Sequence, residues 1–248
     1  MHTIRPWVGR EENTDMTQDS AHSGQTRNTP LLPHHAQSEL DAKHLLDRSS
    51  DGVDMNGSVR EISRKTVFEG PIFAIDDIVL DLPTTDGGTA RIRRQLIRHA
   101  PCVVMLVHDV PGDRYLIERE YRVGSNRFAY GLPAGLMDAG ENPEQAALRE
   151  LSEETGTVPD DNLSAVRFDH VGAYYSSEGM TDELANIMVI HLDRWHTEDR
   201  HFDADEHVES AWVSWQQLLD TPVTESNAII AIQHEMLRRT KHTGDTVA

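Results

Sequence analysis

Three glutamates, Glu150, Glu153 and Glu154, lie within five residues of one another in a stretch that favours a helix. On a helix Glu150 and Glu154 would be one turn apart, with Glu153 on the same face. Carboxylate oxygens gathered on a rigid face suit Mg²⁺ or Mn²⁺, ions that keep several waters and share phosphate oxygens with a substrate. The spacing favours divalent-metal chemistry on phosphates, although an arbitrary Glu-rich helix is more often a solvated acidic face.

The helix that would carry these glutamates has clear start and stop signals. Asn142 can cap it, Pro143 suits the first helical position, and Gln145 completes an Asn-x-x-Gln capping box. Gly156 is a typical left-handed stop. The sequence therefore predicts a helix of about three and a half turns that begins near Pro143 and ends just before Gly156.

The same stretch matches a longer pattern, G-x5-E-x7-R-E-U-x-E-E-x-G-U with U apolar, at every specified position from Gly135 except the last, Thr157. This resembles the Nudix box, the signature of Nudix hydrolases. The resemblance implies hydrolysis of a nucleoside diphosphate linked to another group, with Mg²⁺, or Mn²⁺ in its place, as the cofactor. Carried over to this sequence, the metal ligands are the Ala134 carbonyl, Glu150, Glu153 and Glu154, with Glu153 also a catalytic candidate through a water that it holds and with Glu141 and Arg149 in supporting positions.

The sequence before the box points to a subgroup. Glu120-Tyr121-Arg122 and Gly131-Leu132-Pro133-Ala134-Gly135 are similar to the "QYR … ELPAG" run of ADP-ribose pyrophosphatases, with Glu120 for Gln and Gly131 for Glu. The resemblance makes Arg122 a phosphate-contacting arginine. Arg94, which precedes His99 in a segment similar to "RE-x-x-x-H", is a second substrate-binding candidate. Either arginine could instead be a surface ion-pair residue.

After the box, residues 174–183 resemble the subgroup's "SPGxSDE" loop. Glu183 matches the glutamate that positions or deprotonates the attacking water in the resembled enzymes. Glu178 stands where the pattern has proline, and it is the competing candidate for the base. A loop carboxylate near a metal is a usual general base, which favours Glu183.

Composition limits the partners. Asp and Glu number 42 against 23 Lys and Arg, a formal charge of −19, so the surface repels long nucleic acids while a small phosphorylated metabolite with a divalent ion stays compatible. No apolar run approaches a membrane span and no signal-peptide pattern opens the chain, so a cytoplasmic protein is expected. Cys102, the single cysteine, lies in an apolar run that predicts a buried strand.

Short β-rich runs and turn signals precede and follow the box helix, and two helical stretches, residues 215–220 and 226–239, come last. Together with the resemblance they predict an α/β/α sandwich with a mixed sheet. We expect a disordered tail over residues 1–57, N-terminal strands over 58–98, the hydrolase core over 99–240 and a C-terminal tail over 241–248. In the resembled subgroup the N-terminal strands pair with a second subunit, so a homodimer is expected, although packing on their own domain is the alternative.

The function expected from these features is metal-dependent hydrolysis of ADP-ribose, or of a related nucleoside diphosphate sugar, to AMP and a sugar phosphate. Another sugar nucleotide or a dinucleotide would use the same catalytic core. A different class also stays open, since some Nudix-like proteins sense ADP-ribose without cleaving it. Such sensors tend to lose box glutamates, whereas Glu150, Glu153 and Glu154 are all present here.

Overall fold

The computed structural model describes residues 52–160, 162–201 and 207–244. Residues 1–51 of the predicted tail and 245–248 of the predicted C-terminal segment lie outside these ranges. The chain divides into two compact units, one of residues 1–64 and 79–94, the other of residues 65–78 and 95–248. None of the helices in the described ranges is both long and apolar enough to cross a membrane.

The regular elements follow in chain order. The strands are β1 (Arg60–Glu69), β2 (Phe73–Pro83), β3 (Thr89–His99), β4 (Cys102–Asp109), β5 (Arg114–Arg122), β6 (Arg127–Gly131), β7 (Ala134–Leu136), β8 (Thr157–Pro159), β9 (Val166–Tyr175), β10 (Leu184–Leu192), β11 (Trp195–Thr197) and β12 (Glu209–Ser214). The α-helices are α1 (Pro143–Thr155), α2 (Trp215–Asp220) and α3 (Ser226–Gly244), and a short 3-10 helix spans Asn162–Ala165.

The first unit contains parts of β1, β2 and β3, which form a three-stranded sheet in that order. Asp81 on β2 is its buried acidic group, at 3% exposure. Arg91 on β3 and Arg60 on β1 donate to its carboxylate at 2.7 and 2.9 Å, so the buried charge is paired. Val53 forms an isolated bridge with Thr84 at one end of this unit.

The second unit is built on a mixed sheet with the strand order β12-β5-β4-β10-β9, to which β6 adds on β5 and β7 on β4. The β4–β10 pair is parallel and the other pairs are antiparallel. Because β4 is central, its run of small and branched apolar residues is buried along its whole length, as a strand covered on both faces requires.

Alternate residues of β4 enter two separate cores. Val104 and Leu106 face the core that includes Ala228, Ala231 and Ile232 of α3. Val103 and Met105 face the other core, to which α1 contributes Ala146, Ala147 and Leu151. The sheet therefore lies between α1 and α3, and the predicted α/β/α sandwich with a mixed sheet is confirmed.

Four strands, β6, β7, β8 and β11, are too short to be recognised from the sequence. Each has only three to five residues, too few for an alternating pattern to stand out. Two of them position the site: β6 ends at Gly131, and β7 runs from Ala134 through Gly135 to Leu136.

Candidate active site

Helix α1 begins and ends where the sequence predicts. The Asn142 side chain accepts a hydrogen bond from the Gln145 amide at 2.9 Å, and the Gln145 side chain accepts from the Asn142 amide at 3.2 Å, which completes the capping box. Gly156 ends the helix with φ 68°, the left-handed conformation that glycine adopts without strain. The predicted helix is confirmed at both ends.

Arg149 on α1 joins the acidic residues of the box. Its guanidinium donates to Glu141 through Nε at 3.1 Å and through Nη2 at 2.9 Å, and its Nη1 donates to Glu150 at 2.8 Å and to Glu153 at 3.1 Å. Nη2 also donates to the Leu136 carbonyl at 2.9 Å, which ties α1 to β7. Arg149 thus pairs with three glutamates.

In this network the glutamates and Arg149 stabilise each other's charged forms. The hydrogen bond from Arg149 holds the pKa of Glu141 below its ordinary value, and the Asp138 amide, which donates to the same carboxylate, acts in the same direction. The hydrogen bonds that Arg149 donates to Glu141, together with the negative charge of Glu150, raise the pKa of Arg149. Glu141 therefore stays ionised and fixes the guanidinium that in turn restrains Glu150 and Glu153.

Gly135 on β7 lies directly against a side chain of α1. A Cβ at residue 135 would overlap with Cγ, Cδ and Oε1 of Glu150, so the glutamate side chain lies directly against the glycine backbone. The preceding residue, Ala134, is half-buried and pairs with Val104 of β4. The glycine thus allows the Glu150 carboxylate to sit beside the backbone of the segment that carries the Ala134 carbonyl.

Glu154, one turn after Glu150, is buried, with 5% of the residue exposed. An ionised carboxylate at such a position is costly unless a cation or hydrogen-bond donors compensate it. Glu153 is more open, with 44% of its side chain exposed. The three box glutamates thus range from buried to half-exposed.

The loop that precedes β10 is fixed to the end of β3. The Ile97 amide donates to the Met180 carbonyl at 2.8 Å, the Asp182 amide donates to the Ile97 carbonyl at 3.2 Å, and the Thr181 hydroxyl donates to the same carbonyl at 3.0 Å. Glu183 follows these contacts directly. Its side chain is 26% exposed, and one carboxylate oxygen lies 3.4 Å from Nδ1 of His99. Glu178, by contrast, is exposed at the tip of the loop.

Cys102 and Glu225, from two distant parts of the chain, lie near Glu183. The thiol of Cys102, at the start of β4, is buried, and this burial, with the negative charges of Glu183 and Glu225, raises its pKa to about 12. Burial also raises the pKa of the Glu225 carboxyl, and the charges of Glu183 and Glu120 add to that effect while Arg122 opposes it. Cys102 is therefore an inert strand residue, as predicted, beside a group of charged side chains.

The family model of the NUDIX domain matches residues 98–232, which is more than half of the chain. The chain belongs to the NUDIX family. The matched range contains the box, Arg122 and Glu183, and it excludes Arg94, which lies in the first unit.

Several curated proteins are similar to this Nudix chain. The ADP-ribose pyrophosphatase of Bacillus subtilis (strain 168) is 28% identical over 183 residues, covering 72% of this chain and 93% of that protein. The ADP-ribose pyrophosphatase of Escherichia coli (strain K12) is 25% identical over 187 residues, covering 71% and 86%. The ADP compounds hydrolase NudE of the same strain is 32% identical over 117 residues, covering 46% and 59%. The chain is thus a Nudix hydrolase that resembles the ADP-ribose pyrophosphatases.

Among solved structures, a crystal structure of an ADP compounds hydrolase matches with a TM-score of 0.56 at 23% identity, covering 76% of this chain and 96% of that one. At this identity the match concerns the fold. It agrees with the mixed sheet between α1 and α3.

Nudix hydrolases generally use divalent metal ions, and the donor set of this box fits one. Glu150, Glu153 and Glu154 offer hard carboxylate oxygens from about one turn of helix, and Glu154 is buried. Within the described residues no three His, Cys, Asp or Glu side chains are arranged to hold a metal as they stand. Since Arg149 bonds to Glu150 and Glu153, those two carboxylates would have to turn from the guanidinium toward the ion.

The structure brings most of the predicted site residues onto the second unit. Arg122 at the end of β5 contacts Glu120 at 2.9 Å, and its side chain is half-exposed. Arg94 on β3 donates to the Arg93 carbonyl at 2.9 Å, and its substrate-binding role stays a prediction. Thr157, the one departure from the box pattern, is 3% exposed, so it does occupy a packing position.

Sequence reasoning missed Glu225. This residue precedes α3, about 70 residues after the box helix, and no motif surrounds it. The only sequence signal was indirect: Gly131 stands where the resembled run has glutamate.

Proposed function

We propose that this Nudix hydrolase cleaves the pyrophosphate bond of ADP-ribose or a related nucleoside diphosphate sugar with Mg²⁺ as the cofactor. The observation that carries the proposal is the box itself: three glutamates on α1, of which Glu150 and Glu153 are held by Arg149 and Glu150 also lies against Gly135, within a chain that is similar to ADP-ribose pyrophosphatases over about 70% of its length. Mn²⁺ is compatible with the same donor set.

In the proposed reaction a water attacks one phosphorus of the diphosphate, and the P–O bond to the bridging oxygen breaks. ADP-ribose plus water then gives AMP and ribose 5-phosphate. A divalent ion held by Glu150, Glu153, Glu154 and the Ala134 carbonyl would neutralise phosphate charge and acidify bound water. Arg122 is open to solvent on one side and would contact a phosphate oxygen.

We assign the proton acceptor to Glu183. Its backbone is fixed by contacts of the loop with Ile97, its amide donates a hydrogen bond to the Thr181 hydroxyl oxygen at 3.1 Å, and its carboxylate is half-buried. Glu178 is exposed at the loop tip, so its carboxylate has no comparable restraint on its position. A base must be held within hydrogen-bond reach of the water, which favours Glu183.

A hydrolysis panel tests the proposal. Purified protein is assayed with Mg²⁺ on ADP-ribose, other sugar nucleotides, dinucleotides and nucleoside triphosphates, and products are separated by chromatography. We expect preference for ADP-ribose or a close relative, a loss of orders of magnitude in Glu154→Gln, and in Glu183→Gln a lower kcat with nearly unchanged Mg²⁺ dependence. Ligand binding without phosphate release would instead indicate a sensor, and parental activity of Glu183→Gln would move the base to Glu178.

We also propose a homodimer formed through the N-terminal strands. All ten residues of β1 are exposed, and Val67 and Phe68 at its end are 54% and 49% exposed, next to Ile72 at 53%. Apolar side chains grouped in this way commonly mark an interface. Light scattering after size-exclusion chromatography should give twice the chain mass for the parent, a lower mass for Val67→Glu, and an unchanged dimer for Val123→Glu, whose valine is 85% exposed elsewhere. A monomeric parent at micromolar concentration would contradict the dimer.

A further inference from the structure

The carboxylate of Glu225 fills the space beside Gly131 where a side chain would otherwise project. A Cβ built on Gly131 would lie 3.0 Å from Oε2 of Glu225 and would meet no other heavy atom within 4 Å. Gly131 is the last residue of β6 and is followed by the segment that leads to Ala134 and Gly135. Glu225 therefore brings a negative group to the strand that enters the box, from an element far along the chain.

Contacts on both sides hold the segment that carries Glu225. Arg127 on β6 donates to the Thr224 hydroxyl at 2.8 Å. The side-chain amide of Asn227, which is 8% exposed, donates to the Ser176 hydroxyl at 3.2 Å in the loop that leads to Glu183. The Ile229 amide donates to the Glu225 carbonyl at 3.1 Å, so Glu225 is the residue from which α3 begins. Its backbone position is thus fixed relative to both β6 and the Glu183 loop.

The charges around Glu225 limit what it can bind. Glu183 and Glu120 act on it as like charges, and Arg122 is the opposing cation. A carboxylate in these surroundings repels a phosphate group. It accepts hydrogen bonds well, and hydroxyl groups are the neutral donors that every nucleoside diphosphate sugar presents in pairs on its sugar rings.

From this geometry we infer that Glu225 is a specificity-determining residue of the site: its carboxylate accepts hydrogen bonds from sugar hydroxyls of the substrate, in the place where a side chain of residue 131 would act. The inference rests on the proposed function, and it adds to it a contact on the sugar. Arg122 on the one side and the box on the other would hold the diphosphate, while Glu225 distinguishes substrates by their hydroxyl groups.

Three variants and two substrate analogues test the assignment. Glu225→Gln keeps the size of the side chain and removes its charge. Gly131→Asp places a second carboxylate against Glu225. The double variant Gly131→Asp, Glu225→Ala relocates one carboxylate to residue 131, where an aspartate has its oxygens two bonds from the Cβ. The analogues are an ADP ester whose second group carries no hydroxyls, and ADP-ribose without the 2′ and 3′ hydroxyls of its adenosine.

We expect Glu225→Gln to raise KM for ADP-ribose roughly tenfold or more with a much smaller change in kcat, since a hydrogen bond to a charged acceptor is lost. The parent should discriminate against one of the analogues, and Glu225→Gln should lose most of that discrimination. Gly131→Asp alone should also be impaired because two carboxylates then crowd one place. The double variant should recover both the lower KM and the discrimination, a non-additive result that two independent defects would not give.

Other outcomes would overturn the inference. Unchanged KM and discrimination in Glu225→Gln would show that the residue is not a substrate contact, and a shifted Mg²⁺ requirement would make it a cation ligand instead. The double variant could unfold at the parental temperature and still fail to recover the lower KM and the discrimination. That result would show that the Glu225 carboxylate does not act in the space beside Gly131. Failure of the parent to hydrolyse any nucleoside diphosphate sugar would refute the proposed function, whereas parental hydrolysis with an unaffected Glu225→Gln would refute this assignment alone.

Discussion

Replacing Gly135 by alanine should separate the chemistry of the box from the stability of the fold. The added Cβ would overlap with Cγ, Cδ and Oε1 of Glu150. Because carbon atoms pack at about 3.5–4.0 Å, the Glu150 carboxylate must move by more than about 1 Å. Its hydrogen bond to Arg149, 2.8 Å in the parent, would then be broken or lengthened.

The two consequences differ in size. Overpacking by one methyl group at a site where a flexible side chain can move aside costs about 1–3 kcal/mol of unfolding free energy. A shift of about 1 Å in a group that orders the reacting centre can lower turnover by about 10²-fold. We therefore expect Gly135→Ala to stay folded while kcat for ADP-ribose falls by about two orders of magnitude and the Mg²⁺ concentration for half-maximal activity rises.

The measurement is the rate of AMP release as a function of Mg²⁺ concentration, alongside urea unfolding of the same preparations. Gly124→Ala is the matched control, since a Cβ at residue 124 meets nothing within 4 Å and should leave both quantities unchanged. Parental turnover and Mg²⁺ dependence in Gly135→Ala would refute the idea that the glycine exists to admit the Glu150 side chain beside the strand.

Two further predictions concern Arg149 and a buried histidine. Arg149→Lys should raise the Mg²⁺ requirement and lower the unfolding free energy by roughly 1–2 kcal/mol, because the single nitrogen of a lysine, with three donors, cannot replace the five hydrogen bonds of the guanidinium. An unchanged Mg²⁺ titration would contradict this. Burial lowers the pKa of His191 from 6.5 to about 4. Between these pH values the unfolded chain therefore binds more protons than the folded chain. The free energy of unfolding should fall as the pH falls through that window, by up to about 3 kcal/mol. Urea unfolding from pH 4.5 to 7.5 should show this slope in the parent and a flatter one in His191→Gln; equal slopes would assign the pH dependence to other groups.

Local sequence signals were sufficient for the parts of the site that are close together in the chain. The capping box joins Asn142 and Gln145, three residues apart, and the Gly156 amide bonds to the Ser152 carbonyl four residues earlier, so the helix could be delimited from sequence. The gathering of Glu150, Glu153 and Glu154 follows from helical spacing. The alternation of β4 between two cores was concealed, because a strand covered on both faces reads as a continuous apolar run.

The parts that sequence could not supply depend on contacts between distant segments. Arg149 reaches back to the Leu136 carbonyl on β7, and the Glu183 loop is fixed by Ile97, more than 80 residues earlier. The spacing of residues along the chain carries no information about which strand end will meet which loop. Sequence could therefore name Glu183 from its motif, while the restraint that distinguishes it from Glu178 required the fold.

Glu225 shows how a local departure from a pattern can be understood only in three dimensions. Read along the chain, Gly131 is a loss of one polar group. In the folded protein the absence of a side chain there leaves room for a carboxylate from the start of α3, within 3.0 Å of the position a Cβ would take. Where a site needs a hydrogen-bond acceptor and the local residue is glycine, a distant residue that no motif predicts can thus supply the acceptor. The Gly131→Asp, Glu225→Ala variant tests whether the two positions are interchangeable.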